Sequence, residues 1–442
     1  MQLLYIDLFC GAGGTTTGIE SAKINGERCA KVIACVNHDK NAIISHQANH
    51  PDTMHFTEDI RTLNLTNLVR HKQNMCAKYS GAYVVLWASL ECTNFSKAKG
   101  GQARDPDSRT LANHLFRYIE HLNPDYIQIE NVEEFMSWGD LDENGKPVSK
   151  DAGRLYAEWV SKVCRYGYDF DYRILNSADY GAYTTRKRFF GIFARHGLPI
   201  VFPAPTHSKN GSTNLFGGLK KWNPVRDVLD LNDEGESIFK RKRPLVEKTL
   251  QRIYAGLIKF VAGGKEAFLL KYNSMNQSGH YIAPSLDEPC PTVTCQKRLG
   301  LVKAQFLSKQ FSGHPESKNI PLDAPAGTIT CIDHHAFVTV LHDNGYKSTT
   351  KFSSIETEAS DSPMTIKIKA FMALYGISDI RMRMLRIPEL KRIMGFSSDY
   401  VLVGKQAEQT KFIGNAVEVH QSRALCEALC QSVTNKTKQE RI

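Results

Sequence analysis

Through its first two hundred residues the chain alternates short apolar, β-rich runs with stretches of helical periodicity, and this alternation limits the fold more than any other feature. The runs are "LLYIDLF" (3–9), "KVIACV" (31–36), "AYVVLWA" (82–88), "YIQIEN" (126–131), "DYRILN" (171–176) and "FFGIFAR" (189–195). Helical patterns fill 15–23, 39–48, 109–121 and 153–166, while "DENGKPVSKDAG" (142–153) reads as a loop insertion. The expected fold class is α/β: a Rossmann-like, mostly parallel sheet with helices on both faces.

From "PAPTHSKNGSTNLFGG" (203–218) the composition shifts to Pro, Ser, Asn and Gly, which marks a linker. The expected division is 1–200, then a smaller β-rich domain over 201–380, then a segment 381–442 that returns to the first domain. Within the middle part "LDEPCPTVTC" (286–295) is echoed 36 residues later by "LDAPAGTITC" (322–331). Two copies are too few for a solenoid and fit a β-rich module with two similar turns. Beyond residue 380, "RMLRIPELKRIMGF" and "IGNAVEVHQSRALCEALCQSV" read as helical and "TNKTKQERI" as a loose tail.

Lys+Arg 56 against Asp+Glu 46 gives a net charge of +10, and "FKRKRP" (239–244) gathers four positive charges. That balance suits a polyanionic partner, although a solvated basic surface has the same composition. No apolar run approaches the roughly 18 residues that span a bilayer, and the start "MQLLYIDLFCGAGG" lacks a basic region or cleavage site, so neither a membrane partner nor a signal peptide is expected. The eleven cysteines contain no C-x-x-C pair. They read as reduced, mostly buried thiols of a cytoplasmic protein rather than as a disulfide frame or a zinc site, and no metal is expected.

"DLFCGAGGTTTG" (7–18) follows the first strand and opens a helix. Gly11 and Gly13 fit the first two positions of G-x-G-x-x-G, but Thr16 occupies the third, so the dinucleotide pattern is not met. Small residues here let a ligand approach the backbone at the carboxyl edge of the sheet. Asn37 ends the second run, in the place of a ribose-binding residue that is more often a carboxylate. "EDI" (58–60) is expected to end a third strand and so to put Asp59 on the same edge.

"DLFCGAGG", "ECTNFS", "ENV", "TTRKR", "RML…PEL…GF" and "GNAV", in that order, resemble the DNA (cytosine-5) methyltransferase family. The resemblance covers about 1–195 and 381–425, and leaves 200–380 as the counterpart of the family's variable target-recognition region. It implies S-adenosylmethionine as methyl donor, held by Phe9, Ala12, Gly13 and Gly14, with Asn37 at the ribose and Asp59 and Ile60 at the adenine. Asn415 and Val417 of "GNAV" would close that pocket.

The same resemblance makes Cys92 the nucleophile, Glu130 its acidic partner, and Arg186 and Arg188 the basic pair. Cytosine C5 is a poor nucleophile until a thiolate adds at C6 and makes the C5–C6 bond enamine-like. A carboxyl group at the N3 and amino edge stabilises the charge that develops on the ring. Arg186 and Arg188 alternate before a strand and share a face, so one can meet the cytosine O2 and both can anchor a loop or phosphate. Two departures stand out: Glu91 precedes the thiol where the family has proline, and Thr184 replaces a glutamine.

A base within a duplex hides C6, so the reading requires the target nucleotide to swing out, under a loop such as "SKAKGGQARDPDSRT" (96–110). Candidate contacts to double-stranded DNA are "FKRKRP", "TCQKRLG" (294–300) and "TCIDHHAF" (330–337), the last holding His334 and His335. The expected assembly is a monomer. Two rivals keep the same scaffold: a tRNA cytosine-5 methyltransferase, and an inert DNA-binding regulator in which Glu91 has silenced the thiol.

Overall fold

The computed structural model describes residues 1–90, 111–140, 142–143, 148, 152–213, 217–262, 267–271, 282–309, 319–320, 335–336, 357–375 and 377–439. The chain divides into two compact units. The first is Met1–Asn223 with Pro291–Gln296 and Leu390–Ile442, and the second is Pro224–Cys290 with Lys297–Glu389. The expected boundaries at 200 and 380 therefore fall at 223 and 389, and six residues, 291–296, depart from the middle region to join the first unit.

In the first unit β1 (Leu3–Leu8), β2 (Ala30–Val36), β3 (Met54–Phe56), β4 (Tyr83–Ser89), β5 (Tyr126–Asn131), β6 (Tyr168–Asn176) and β7 (Lys187–Arg195) form one sheet. Their order is β3-β2-β1-β4-β5-β7-β6. The pairs from β3 to β5 are parallel, and β7 runs antiparallel to both β5 and β6. All six residues of β1 are buried, as a central strand covered on both faces requires. The polar exception, Asp7, accepts a hydrogen bond from the Thr16 hydroxyl at 3.0 Å. Thr16 thus gives one oxygen of this buried carboxyl group a hydrogen bond, while burial pushes the Asp7 pKa up.

The connecting helices are α1 (Gly14–Ser21), α2 (Lys40–Asn49), α3 (Thr66–Lys78), α4 (Leu115–Leu122) and α5 (Arg154–Cys164). Asp39 caps α2 by accepting from the backbone N–H groups of Asn41 and Ala42 at 3.0 and 3.2 Å. Four helices follow the expected spans, with a single 3-10 turn (Leu111–His114) opening α4. The additional helix, α3, fully buries only Leu68, with Val69, Met75 and Cys76 partly buried beside it, so its apolar stripe is interrupted by the polar run Arg70–Asn74. The third strand ends at Phe56 rather than at 58–60, which leaves Asp59 in the loop beyond it.

The second unit holds an antiparallel sheet of β8 (Glu236–Ser237), β9 (Ala267–Lys271), β10 (Leu299–Lys309) and β11 (Ile377–Met384), in the order β8-β11-β10-β9. Two helices, α6 (Glu247–Gly256) and α7 (Pro363–Tyr375), share its core through residues such as Ile253, Phe268, Val302, Ile368 and Ile380. Two buried ion pairs brace it. Arg383 makes two 2.8 Å hydrogen bonds to the Glu389 carboxylate, and Lys303 meets Glu234 at 3.2 Å and the Leu231 carbonyl at 2.9 Å. The expected helix across "RMLRIPELKRIMGF" begins only at Ile387, because its first residues complete β11.

After α8 (Ile387–Ile393) come α9 (Gln406–Asn415) and α10 (Val419–Gln439). Leu425, Cys426, Leu429 and Val433 of α10 pack in one cluster with Leu3, Tyr5 and Ile19. The tail expected to be loose is helical as far as Gln439. The Thr434 hydroxyl donates to the Gln2 side-chain oxygen at 2.7 Å, and the Lys436 ammonium to the Gly197 carbonyl at 2.6 Å. Among the described residues no helix is long and apolar enough to cross a membrane.

Helix α1 lies so close to α10 that a Cβ on Gly18 would stand 1.9 Å from the Ser422 hydroxyl and 2.5 Å from the Val419 carbonyl. Gly18→Ala is expected to destabilise the protein by about 1–3 kcal/mol through overpacking. Urea unfolding should show this as a lower midpoint with an unchanged slope.

Candidate active site

Strand β1 lies between β2 and β4, where the chain order of the sheet turns back, and the carboxyl ends of these strands border a pocket. Phe9, Gly11 and Thr15 of the glycine loop line one part of it, and Asn415 and Val417 another. Ser89, Glu130, Arg186 and Arg188 line it from the ends of β4, β5 and β7.

The glycine loop turns through left-handed backbone at Phe9 (φ 60), Gly11 (φ 54) and Gly13 (φ 103). Gly11 has nothing within 4 Å of where a Cβ would sit, so the pocket reaches bare backbone there. Gly13 and Gly14 face inward instead. A Cβ on Gly13 would lie 2.4 Å from the Tyr400 hydroxyl, and one on Gly14 would lie 2.5 Å from the Val417 carbonyl. Tyr400 also donates to the Ala12 carbonyl at 2.6 Å. Ala12, Gly13 and Gly14 therefore shape the loop from below, while Phe9 and Gly11 meet the pocket.

Asn37 lines the pocket, but its side-chain oxygen accepts from the Asp39 N–H at 2.8 Å. Asp59 and Ile60 are not among the described lining residues. Asp59 is clamped by Arg61 at 2.6 Å, and this hydrogen-bonded pairing lowers its pKa to about 2. Ile60 is buried, and its carbonyl accepts from the Tyr118 hydroxyl at 2.9 Å.

Glu130, at the end of β5, is 5% exposed. Arg188 Nε stands 3.3 Å from its carboxylate. Burial pushes the Glu130 pKa up; Arg188, Arg186 and the Ser89 hydroxyl pull it down without cancelling the shift. The two arginines, expected to act as a pair, divide the work. Arg188 faces Glu130, whereas Arg186 is 2% exposed and donates to the Val293 and Gly414 carbonyls at 3.4 and 3.1 Å.

Those Arg186 contacts involve a segment that the sequence reading did not place here, Pro291–Gln296. The Thr184 hydroxyl donates to the Pro291 carbonyl at 3.3 Å, and the Cys295 thiol to the Asn415 side-chain oxygen at 2.6 Å. Gly414 admits the segment, since a Cβ there would lie 2.4 Å from the Cys295 nitrogen. The signal was the first copy of the internal repeat, 286–295, whose last residues make these contacts. Tyr400 carried no signal at all. Cys92, Glu91, the loop 96–110, the second repeat copy 322–331 and His334 lie outside the described residues. Of "FKRKRP", Lys240, Lys242 and Arg243 are exposed and Arg241 is bonded to the Met382 carbonyl.

The profile of the C-5 cytosine-specific DNA methylase family matches residues 3–431. The chain belongs to that family. It is 30% identical over 240 residues to the Type II methyltransferase M1.HphI of Haemophilus parahaemolyticus, covering 53% of this chain and 57% of that protein. The Type II methyltransferase M.SacI of Streptomyces achromogenes is 21% identical over 98% of this chain and 94% of its own length. The chain spans about half the length of most of the curated relatives it matches. Among solved structures, the Entamoeba histolytica methyltransferase EhMeth superposes with a TM-score of 0.51 at 14% identity, over 98% of this chain and 99% of that one. S. pombe Dnmt2 methyltransferase gives 0.50 at 16%, over 98% and 99%. These two establish the fold.

In this family member the raised Glu130 pKa has a consequence for stability. The folded state holds the Glu130 proton more tightly than the unfolded chain does, so stability falls as pH rises from the ordinary glutamate value, about 4.3, to the raised native value. Glu130→Gln removes this loss. The stability gap between Glu130→Gln and wild type, measured by urea midpoints, should move in the variant's favour as pH rises through that window and then level off.

Proposed function

We propose that this chain is a DNA cytosine-5 methyltransferase that uses S-adenosylmethionine and acts through Cys92, Glu130 and Arg188. The observation that carries the reading is the pairing of buried Glu130 with half-buried Arg188, which shares one pocket with the glycine loop and the "GNAV" segment. Cys92 follows the last described residue of the β4 edge, Leu90, by two positions in the sequence.

The pocket fits the cofactor where Gly11 leaves the loop backbone open to a ligand. Phe9 and the loop carried by Ala12, Gly13 and Gly14 would hold it, with Asn415 and Val417 opposite and Asn37 near its ribose. Asp59 and Ile60 remain the proposed adenine contacts. S-adenosylmethionine, when bound, supplies an electrophilic methyl group.

The Cys92 thiolate adds to C6 of a swung-out cytosine, and the electron pair of the C5–C6 bond shifts towards C5. Glu130, whose burial shifts its pKa upward and so favours the protonated form, hydrogen-bonds the N3 edge and holds a proton where negative charge develops. Arg188 orients that carboxyl group and offers donors to the cytosine O2. Arg186 positions the surrounding loops. After methylation at C5, loss of the C5 proton expels the Cys92 thiolate and restores the aromatic ring. Double-stranded DNA is the proposed substrate, held by basic residues such as Lys240, Lys242 and Arg243, in the restriction-modification setting of the Type II relatives.

Tritiated methyl transfer to duplex DNA and to tRNA tests the substrate: label in DNA supports the reading, and label in tRNA alone defeats it. A duplex carrying 5-fluorocytosine should trap a covalent adduct that Cys92→Ala cannot form. Tight DNA binding without an adduct would instead make the chain an inert binder. Glu130→Gln should slow methylation by about 10²–10⁴-fold. DNA affinity should fall steeply with salt, as phosphate neutralisation requires.

A further inference from the structure

At the glycine loop, whose Cys10 also lines the pocket, four side chains from four elements converge. Cys10 comes from the loop itself, Cys35 from β2, His46 from α2 and His55 from β3. The Cys10 and Cys35 sulfurs and a His46 ring nitrogen all lie within 4.8 Å of one another, and all three residues are buried. His46 Nδ1 stands 3.8 Å from the Cys35 sulfur and 3.0 Å from His55 Nε2. We propose that these residues form a structural zinc site of the Cys2His2 type.

The distances around His46 are close to those that such a site needs, and His55, which lies outside the group mutually within 4.8 Å, would turn towards Cys10 to complete the set. With Zn–S near 2.3 Å and Zn–N near 2.0 Å, tetrahedral geometry puts ligand nitrogen and sulfur about 3.6 Å apart and two ligand nitrogens about 3.3 Å apart. The second ring nitrogen is also provided for. Thr16 gives its hydroxyl proton to Asp7, so its oxygen accepts from His46 Nε2–H at 3.0 Å. That leaves the lone pair on His46 Nδ1, aimed at Cys35 and His55. A relay of this kind, from carboxylate through hydroxyl to imidazole, orients histidine ligands at metal sites.

Metal uptake converts the two thiols to thiolates and releases two protons, and the two negative charges cancel the dication within the protein interior. With four protein ligands, three of them buried and His55 half-buried, the site has no open position, so its role is to tie the glycine loop to β2, α2 and β3. The sequence reading expected no metal because the four ligands are spread from residue 10 to residue 55 without a paired-cysteine spacing.

A second thiol group, Cys29, Cys426 and Cys430, also clusters within 4.8 Å and provides the control. The full chain is purified, dialysed against metal-free buffer and assayed for zinc by mass spectrometry, then exchanged with cobalt(II) and followed by absorption. The wild type should retain zinc and show the thiolate charge-transfer and visible bands of tetrahedral cobalt, a readout that needs no variant. Cys35→Ser and His55→Ala should each lose one equivalent, while His50→Gln, a neighbouring histidine outside the set, and Cys29→Ser keep it. Thr16→Val, which spares all four ligands, should weaken affinity about 10–100-fold. Absence of both zinc and cobalt bands in the wild type would overturn the proposal. So would metal kept by Cys35→Ser but lost by Cys29→Ser, or a Cys10–Cys35 disulfide in the unreduced protein.

Discussion

The Val417 carbonyl occupies the space that any side chain on Gly14 would need, and the first unit is built around that exclusion. The glycine loop near the start of the chain and the "GNAV" segment near its end touch through backbone, with no side chain between them. Gly18 repeats the arrangement one turn later against Val419 and Ser422. Such approaches allow little adjustment, because backbone atoms cannot choose another rotamer. The pocket therefore inherits its shape from two segments four hundred residues apart, and neither segment alone has one.

Electrostatics within the pocket follow from the same tight enclosure. Glu130 sits where the sheet has removed water, so ionisation is disfavoured even with two guanidinium groups nearby. Arg188 is close enough to orient the carboxyl group, whereas the Arg186 donors go to main-chain carbonyls of the segments that close over it. Two arginines two positions apart thus do different things, because one is 2% exposed and the other remains at the pocket surface.

The sheet was legible because its central strands β1, β2, β4 and β5 are buried on both faces and so appear as apolar runs. Helix α3 was not, since it fully buries one leucine and its apolar stripe is interrupted, and β3 was drawn too long because a three-residue strand has no periodicity to mark its end. The candidate residues that announce themselves do so through local spacing. Those that escaped notice work through distance: Tyr400 reaches the Ala12 carbonyl across 388 positions, and Val293 meets Arg186 across 107. A repeat was visible at 286–295, but nothing in its composition says that its last residues leave the second unit. The Cys10, Cys35, His46 and His55 group is hidden for the same reason, as the sheet and not the spacing gathers it.

Helix α10 covers one face of the sheet with residues as late as Val433, packed against Leu3 and Tyr5. During synthesis on the ribosome, β1 to β7 emerge long before the element that shields them. A nascent chain of this kind must carry an uncovered apolar sheet face through the making of the whole second unit. Only when α10 has been made can that face be covered, so the time at which the first unit closes is set by Leu425, Leu429 and Val433 rather than by the sheet itself.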